Sequence, residues 1–318
     1  MLIDQGMALH DQGKYAEAID KYKEAIKIDA KNYRAYYEMS FSLYASGKPK
    51  DAIPYLEKIV VSSPDFRAGA CDILGSIYDD DNQPDKAVAY YKEGIEANPK
   101  YQRLHFNLGM TLMRQKKYTE AESSIIEALK LDPKHASSHR VYALCSYYQN
   151  RNISAVLALC NFLLIGPQGQ RALPIYKFLR QILQSGISKN DKGGVNITLN
   201  MANGKDDEFG AAELAVALSA AADLEKDKSA SPYEVFASQI KTVISVAGEM
   251  SEKKKDKSFF WTFYADYFYK LSNSGNLPAF TRLISQSGFM DENTQWLKEN
   301  GDKLKALNDW MEANKREL

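Results

Sequence analysis

The fold is decided by two stretches, "NLGMTLMRQKKYTEAESSIIEALKLDP" (Asn107–Pro133) and "GMALHDQGKYAEAIDKYKEAIKID" (Gly6–Asp29). In each, a glycine (Gly109, Gly6) is followed by an alanine (Ala121, Ala18) and then by a bulky residue (Ile125, Tyr22) at the same offsets. Working outward, the alanine recurs as Ala18, Ala52, Ala87, Ala121 and Ala155, at spacings of 34, 35, 34 and 34 residues. In phase with it run Gly6, Ser40, Gly75, Gly109, Ala143; then Tyr22, Leu56, Tyr91, Ile125, Leu159; then Ala25, Ile59, Gly94, Ala128, Phe162; and Ala30, Pro64, Pro99, Pro133, Pro167. A fixed period of this length marks a repeat architecture. Small residues fall where two helices cross closely, and the bulky column fills the space beside them. Proline, lacking an N–H and clashing with the preceding turn, ends the second helix of each unit. Polar turns such as Asp11-Gln12-Gly13-Lys14 part the two helices.

Composition agrees with a folded helical chain. The 318 residues are 45% hydrophobic and 26% charged, ordinary globular values. Lys plus Arg and Asp plus Glu number 41 each, so the net charge is zero. That excludes a dominant basic nucleic-acid surface or a polybasic membrane anchor. No uninterrupted apolar run reaches membrane-spanning length. Cys71, Cys145 and Cys160 lie in apolar helical patterns and read as small buried hydrophobes.

The period and columns resemble the tetratricopeptide repeat, two antiparallel helices in 34 residues, over about residues 1–168. The departures are Ala30 in place of the first proline, one extra residue in the third repeat, and Ala143 and Phe162 in the fifth where smaller residues are usual, which predict looser packing there. The resemblance implies an all-α fold: a right-handed superhelix of five repeats (about 1–31, 32–66, 67–100, 101–134 and 135–168), capped by a helix over 170–185. Residues 186–208 read as a linker, and 209–318 as an all-helical C-terminal domain.

In that family the partner lies along the concave face of the first helices. The matching positions are Met7, His10, Arg34, Tyr37, Phe41, Tyr44, Asp72, Asp79, Arg103, Phe106, Met110, Met113, Arg140, Leu144 and Tyr147. Tyr, Phe and Met offer large, adaptable contact area. Two readings stand at this point: a groove for an extended or helical apolar segment of a protein partner, or a face covered by the chain's own C-terminal half. Capture of an acidic C-terminal tail is not expected. The positions matching the family's carboxylate clamp, Ile3, Met7, Glu38, Gly69 and Ile73, carry no cation.

No reactive constellation competes with this reading. His135 and His139 stand four apart, but no carboxylate follows at metalloprotease spacing, and His105 and His139 occupy a helix-packing slot. Asp79-Asp80-Asp81-Asn82 lacks the glycine of a calcium loop and reads as a solvated turn. Lys253-Lys254-Lys255-Asp256-Lys257 reads as a charged loop. No catalytic residue, metal or cofactor is therefore expected, and the function expected is a non-enzymatic interaction scaffold without nucleic-acid partners. Its rival is a ligand-binding or enzymatic C-terminal domain, built around Asp266 with Glu234 or Lys270, with the repeats as docking arm.

In the second half, Val195, Ile197 and Leu199 alternate with polar residues as a short strand would. Ser231-Pro232-Tyr233-Glu234 is a capping box opening a helix. Helix 259–271 is apolar nearly all round, so it is enclosed by other elements or serves self-association between chains. The segment "FFWTFYADYFYKL" followed by "TQWLKENGDKLKALNDWM" is similar to the tails of uncharacterised bacterial repeat proteins, a likeness that carries no activity. Met1 already falls inside the first helix, so upstream residues are expected to have been removed, by truncation or as a signal peptide, with the expectation leaning to an exported bacterial protein, periplasmic or secreted.

Overall fold

The computed structural model describes residues 1–189, 195–198, 209–226 and 230–316. They form helices and one two-stranded ribbon, and the chain divides by packing into two units, Met1–Asp132 and Pro133–Leu318. The fifth hairpin thus falls in the unit that holds the C-terminal helices.

Unit 1 is four helical hairpins: α1 (Leu2–Asp11) with α2 (Tyr15–Ile28), α3 (Tyr33–Ala45) with α4 (Pro49–Ser62), α5 (Pro64–Asp80) with α6 (Pro84–Ala97), and α7 (Gln102–Arg114) with α8 (Tyr118–Leu131). Helices α2, α4 and α6 each pack on the first helix that follows, and the first helices also touch one another in series. The small column works by contact: a Cβ on Gly6 would lie 2.4 Å from the Tyr22 ring, one on Gly75 2.3 Å from Tyr91, and one on Gly109 2.7 Å from Ile125. Ala18, Tyr22, Ala52, Leu56, Ala87, Tyr91, Ala121 and Ile125 are all sealed from solvent.

The proline column acts on its predecessor. Ser63, Asn98 and Asp132 close their helices in extended backbone, with φ of −134°, −145° and −139°. Proline disfavours the helical region for the residue before it. Asp29, ahead of Ala30, adopts the same conformation (φ −134°) without that help. Pro64 differs from expectation in also opening α5 at its first turn, so Ser63 ends α4 and begins α5. This is how the extra residue of the third repeat is absorbed: α5 continues backward to Pro64 and replaces the usual turn.

A further column, unread in the sequence, lies in the turn inside each hairpin. Gly13, Gly47, Asn82, Lys116 and Asn150 all have positive φ, from 56° to 77°. Glycine and asparagine tolerate this region; a lysine does not do so readily.

Unit 2 begins with α9 (Ala136–Tyr148) and α10 (Asn152–Ile165). The looser packing expected here is absent: Ala143 and Phe162 are both buried, as is every residue from Ile153 to Leu163. Helix α10 is the hub, touching α9, α11 (Ala172–Leu183), α12 (Gly210–Lys226), α13 (Pro232–Glu252) and α15 (Leu277–Ile284). Tyr176, Leu179 and Leu183 of α11 face inward, whereas Leu173 is exposed. Strands β1 (Ile187–Lys189) and β2 (Val195–Ile197) pair antiparallel with Ile187 opposite Ile197. Leu199 lies outside the described residues. The capping box at Ser231 forms, with Ser231 N–H donating to Glu234 Oε2 at 2.7 Å and Glu234 N–H to Ser231 Oγ at 3.2 Å.

The aromatic helix is a π-helical turn, Trp261–Ala265, running into α14 (Asp266–Asn273). Trp261, Phe263, Tyr264 and Phe268 are at most 1% exposed within the chain itself. The surface that suggested self-association is therefore satisfied inside unit 2. Helices α16 (Met290–Glu299) and α17 (Gly301–Ala313) follow. Among the described residues, no helix is long and apolar enough to cross a membrane.

The left-handed column generates a stability prediction. Lys116→Gly should stabilise unit 1 by about 0.5–1 kcal/mol, relief of αL strain outweighing the added chain entropy. Lys116→Ala should gain nothing. Denaturant titration of both variants checks this.

Candidate protein-interaction face

The first helices of unit 1 carry the candidate residues on one face, because positions three, four and seven apart share a side of a helix. At one end, the His10 ring stacks on Phe41 at 5.0 Å, and its Nδ1 is 2.7 Å from Ser42 Oγ. Arg34 Nη2 donates to the Met7 sulfur at 3.4 Å. Phe41 is 38% exposed, a large apolar ring left facing water. Glu38, half-buried, has its carboxyl raised above the ordinary value by burial, against the pull of Arg34 and His10.

Tyr37 lies deeper. Its ring occupies the space left by Gly69, where a Cβ would sit 2.8 Å away, and packs 5.7 Å from Phe66. Burial pushes its hydroxyl up to about 12. Tyr44 donates to Asp80 at 2.7 Å. Phe106, Met110 and Met113 are half-buried along α7.

Two expected groove residues are held in ion pairs, and one of them is sealed from solvent. Asp72 has no exposed surface; it pairs with Arg103 and accepts from Asn107 Nδ2 at 2.8 Å. A buried carboxylate demands such partners, since leaving it unpaired would cost several kcal/mol. Asp79 pairs with Arg114. The acidic turn is solvated at Asp80, Asp81 and Asn82, as expected, and also acts as a fastening. Tyr44 holds Asp80, Lys50 holds Asp81 at 2.8 Å, and Arg114 holds Asp79, joining the third repeat to both neighbours.

In unit 2, Arg140, Leu144 and Tyr147 are half-buried on α9. The Tyr147 ring meets Phe178 of α11 edge-on at 5.1 Å, so here the chain's own capping helix covers part of the face. Burial, with Arg171 nearby, lowers the Arg140 pKa.

The other three histidines make internal contacts. His105 Nε2 lies 2.8 Å from the Pro99 carbonyl, and His139 Nε2 lies 2.9 Å from that of Pro133, the equivalent contact one repeat later. His139 also reaches Tyr264 Oη through Nδ1 at 2.7 Å and the Asn161 amide through Nε2 at 2.8 Å; the tautomer decides which Nε2 contact is a hydrogen bond. His135 Nδ1 is 2.7 Å from Ser138 Oγ. Burial, and then the charge of Arg316, drives the His139 pKa down to about 3. Sequence reasoning found the packing slot of His139 but not its contact with Tyr264, 125 residues away.

The carboxylates of the rival reading are also engaged. Asp266 accepts from Lys257 at 2.8 Å and from Ser251 at 2.6 Å. A pocket of about 410 Å³ in unit 2 is lined by Tyr147, Tyr148, Asn152 and Glu213, among others. There Glu213 Oε1 accepts from the Ile153 N–H at 2.7 Å and caps the start of α10.

Two measurements follow from these environments. Asp72→Asn should destabilise unit 1 by about 2–4 kcal/mol, because one partner of a buried pair is removed; chemical denaturation reads it. For His139, the folded pKa lies below the unfolded value of about 6.5. Its stabilising contribution is therefore complete above that pH and is lost as the pH falls toward the folded value, at about 1.4 kcal/mol per unit. Between pH 6.5 and 5, above most carboxylate titration, His139→Gln should flatten the slope of unfolding free energy against pH.

A TPR repeat profile matches residues 6–47, and a tetratricopeptide repeat profile matches residues 80–145. The human protein named Tetratricopeptide repeat protein 6 is 28% identical over 133 residues, covering 42% of this chain and 25% of that protein. Hsp70-Hsp90 organizing protein 1 of Glycine max is 31% identical over 101 residues, covering 32% and 18%. The chain thus spans a quarter or less of the length of these relatives. Among solved structures, Pseudomonas aeruginosa pilF aligns with a TM-score of 0.52 at 20% identity, over 57% of this chain and 83% of that one, which shows a shared fold. With the hairpin geometry, the in-phase small and bulky columns and the two profile matches in agreement, this chain carries tetratricopeptide repeats at residues 6–47 and 80–145.

Proposed function

We propose that the first-helix face of unit 1 binds a protein segment, and that the chain works as a non-enzymatic interaction scaffold. Tetratricopeptide repeats generally mediate protein–protein interaction, which supports the broad class. The observation that carries the finer reading is Phe41, 38% exposed and stacked on His10, on the face that also holds the half-buried Tyr44, Phe106, Met110 and Met113. Burying one such side chain is worth about 1.5–3 kcal/mol. Four or five together reach roughly micromolar affinity once the association cost is subtracted. The partner contacts are apolar and aromatic, with Arg34 and Arg103 at the rim.

Ile3, Met7, Glu38, Gly69 and Ile73, which match the carboxylate-clamp positions, supply no cation. The engagement of Asp266 and Glu213 in structural bonds supports the non-enzymatic reading over a catalytic second unit.

Tyr37 is unsuited to a test, because its removal would empty the space over Gly69. Phe41→Ala with Phe106→Ala removes contact area at less structural cost. A partner captured from the native source by the parent chain should bind this double variant at least about tenfold more weakly. Val61→Ala, on an 80%-exposed position of α4, should leave binding unchanged. Equal binding by all three, with unaltered helical melting, would remove the face as the binding site.

A further inference from the structure

Beyond α17, Arg316 enters a ring of aromatic side chains. The centre of its guanidinium lies 3.7 Å from the Tyr267 ring centroid, 4.6 Å from Phe263, 5.3 Å from Phe268 and 5.6 Å from Tyr264. Its Nη2 donates to Asn161 Oδ1 at 2.6 Å. Asn161 belongs to the hub helix α10 and touches His139 of α9, which in turn contacts Tyr264, one of the four rings. Among the described residues no carboxylate pairs with Arg316.

That composition is selective. A carboxylate would accept lysine and arginine alike, whereas flat rings with one amide oxygen favour a planar, weakly hydrated cation whose edge remains free to donate. Burial lowers the Arg316 pKa to about 10, so the group is still charged at neutral pH. The rings come from the π-helical turn and α14, the oxygen from α10; filling the cage therefore ties the aromatic helix to the fifth hairpin.

We propose that Phe263, Tyr264, Tyr267, Phe268 and Asn161 form a guanidinium-binding site, which this chain fills with its own Arg316 and which accepts an arginine-like guanidinium supplied in trans when that side chain is absent. The site is distinct from the face on unit 1 and stands whether or not that face binds a protein.

The test is chemical rescue. Arg316→Ala in the full chain should lower the melting temperature by roughly 5 °C or more. Methylguanidinium at millimolar concentration, below any denaturing effect, should restore a measurable part of the loss. Methylammonium at the same concentration should not, and neither compound should raise the melting temperature of the parent chain. An unchanged melting temperature in Arg316→Ala, or equal effects of the two cations, would overturn the proposal. If the variant is recovered unfolded, it is refolded from urea with each cation. Helical signal regained only with methylguanidinium supports the site; no difference between the cations refutes it.

Discussion

The close crossing of small and bulky side chains inside each hairpin is the constraint on which the repeat array rests. Gly6 admits Tyr22, Gly75 admits Tyr91 and Gly109 admits Ile125, each at a distance where a single methyl group would collide. A tightly packed interior cannot absorb such a collision without moving backbone. Helix separation is therefore set at these points. The separation in turn sets which side chains of α3, α5 and α7 can reach one another across the face, including the approach of Tyr37 to Gly69 and of Arg103 to Asp72.

Much of this was legible in one chain because repetition converts weak local preferences into aligned columns. A lone glycine says little; a glycine or other small residue at the same phase in every period says that two helices touch there. The same argument located the helix ends, although the proline works through the extended residue ahead of it. The left-handed turn column escaped notice because its members, Gly13, Gly47, Asn82, Lys116 and Asn150, share a backbone angle and not a side-chain type. Residue identity carries that angle only where glycine or asparagine supplies it.

The candidate face was legible in direction but not in depth. Helical phase places Asp72 beside Phe41 and Tyr44 on the inner side, yet it cannot say that Asp72 is sealed while Phe41 is open. Depth depends on neighbours contributed by other repeats, here Arg103 and Asn107. Contacts in unit 2 were harder still. His139 with Tyr264 and Asn161 with Arg316 join residues 125 and 155 positions apart, with no period relating them. The aromatic segment advertised its burial, but not the cation that it encloses.

One joint in the array differs from its neighbours. Four residues separate α2 from α3 and α6 from α7, while Ser63 alone separates α4 from α5. A spring bends where its coils have slack, and a single shared residue offers two torsions in place of eight. Elastic deformation of the first unit is thereby directed to the outer joints, and the second and third hairpins respond to load as a stiff central segment.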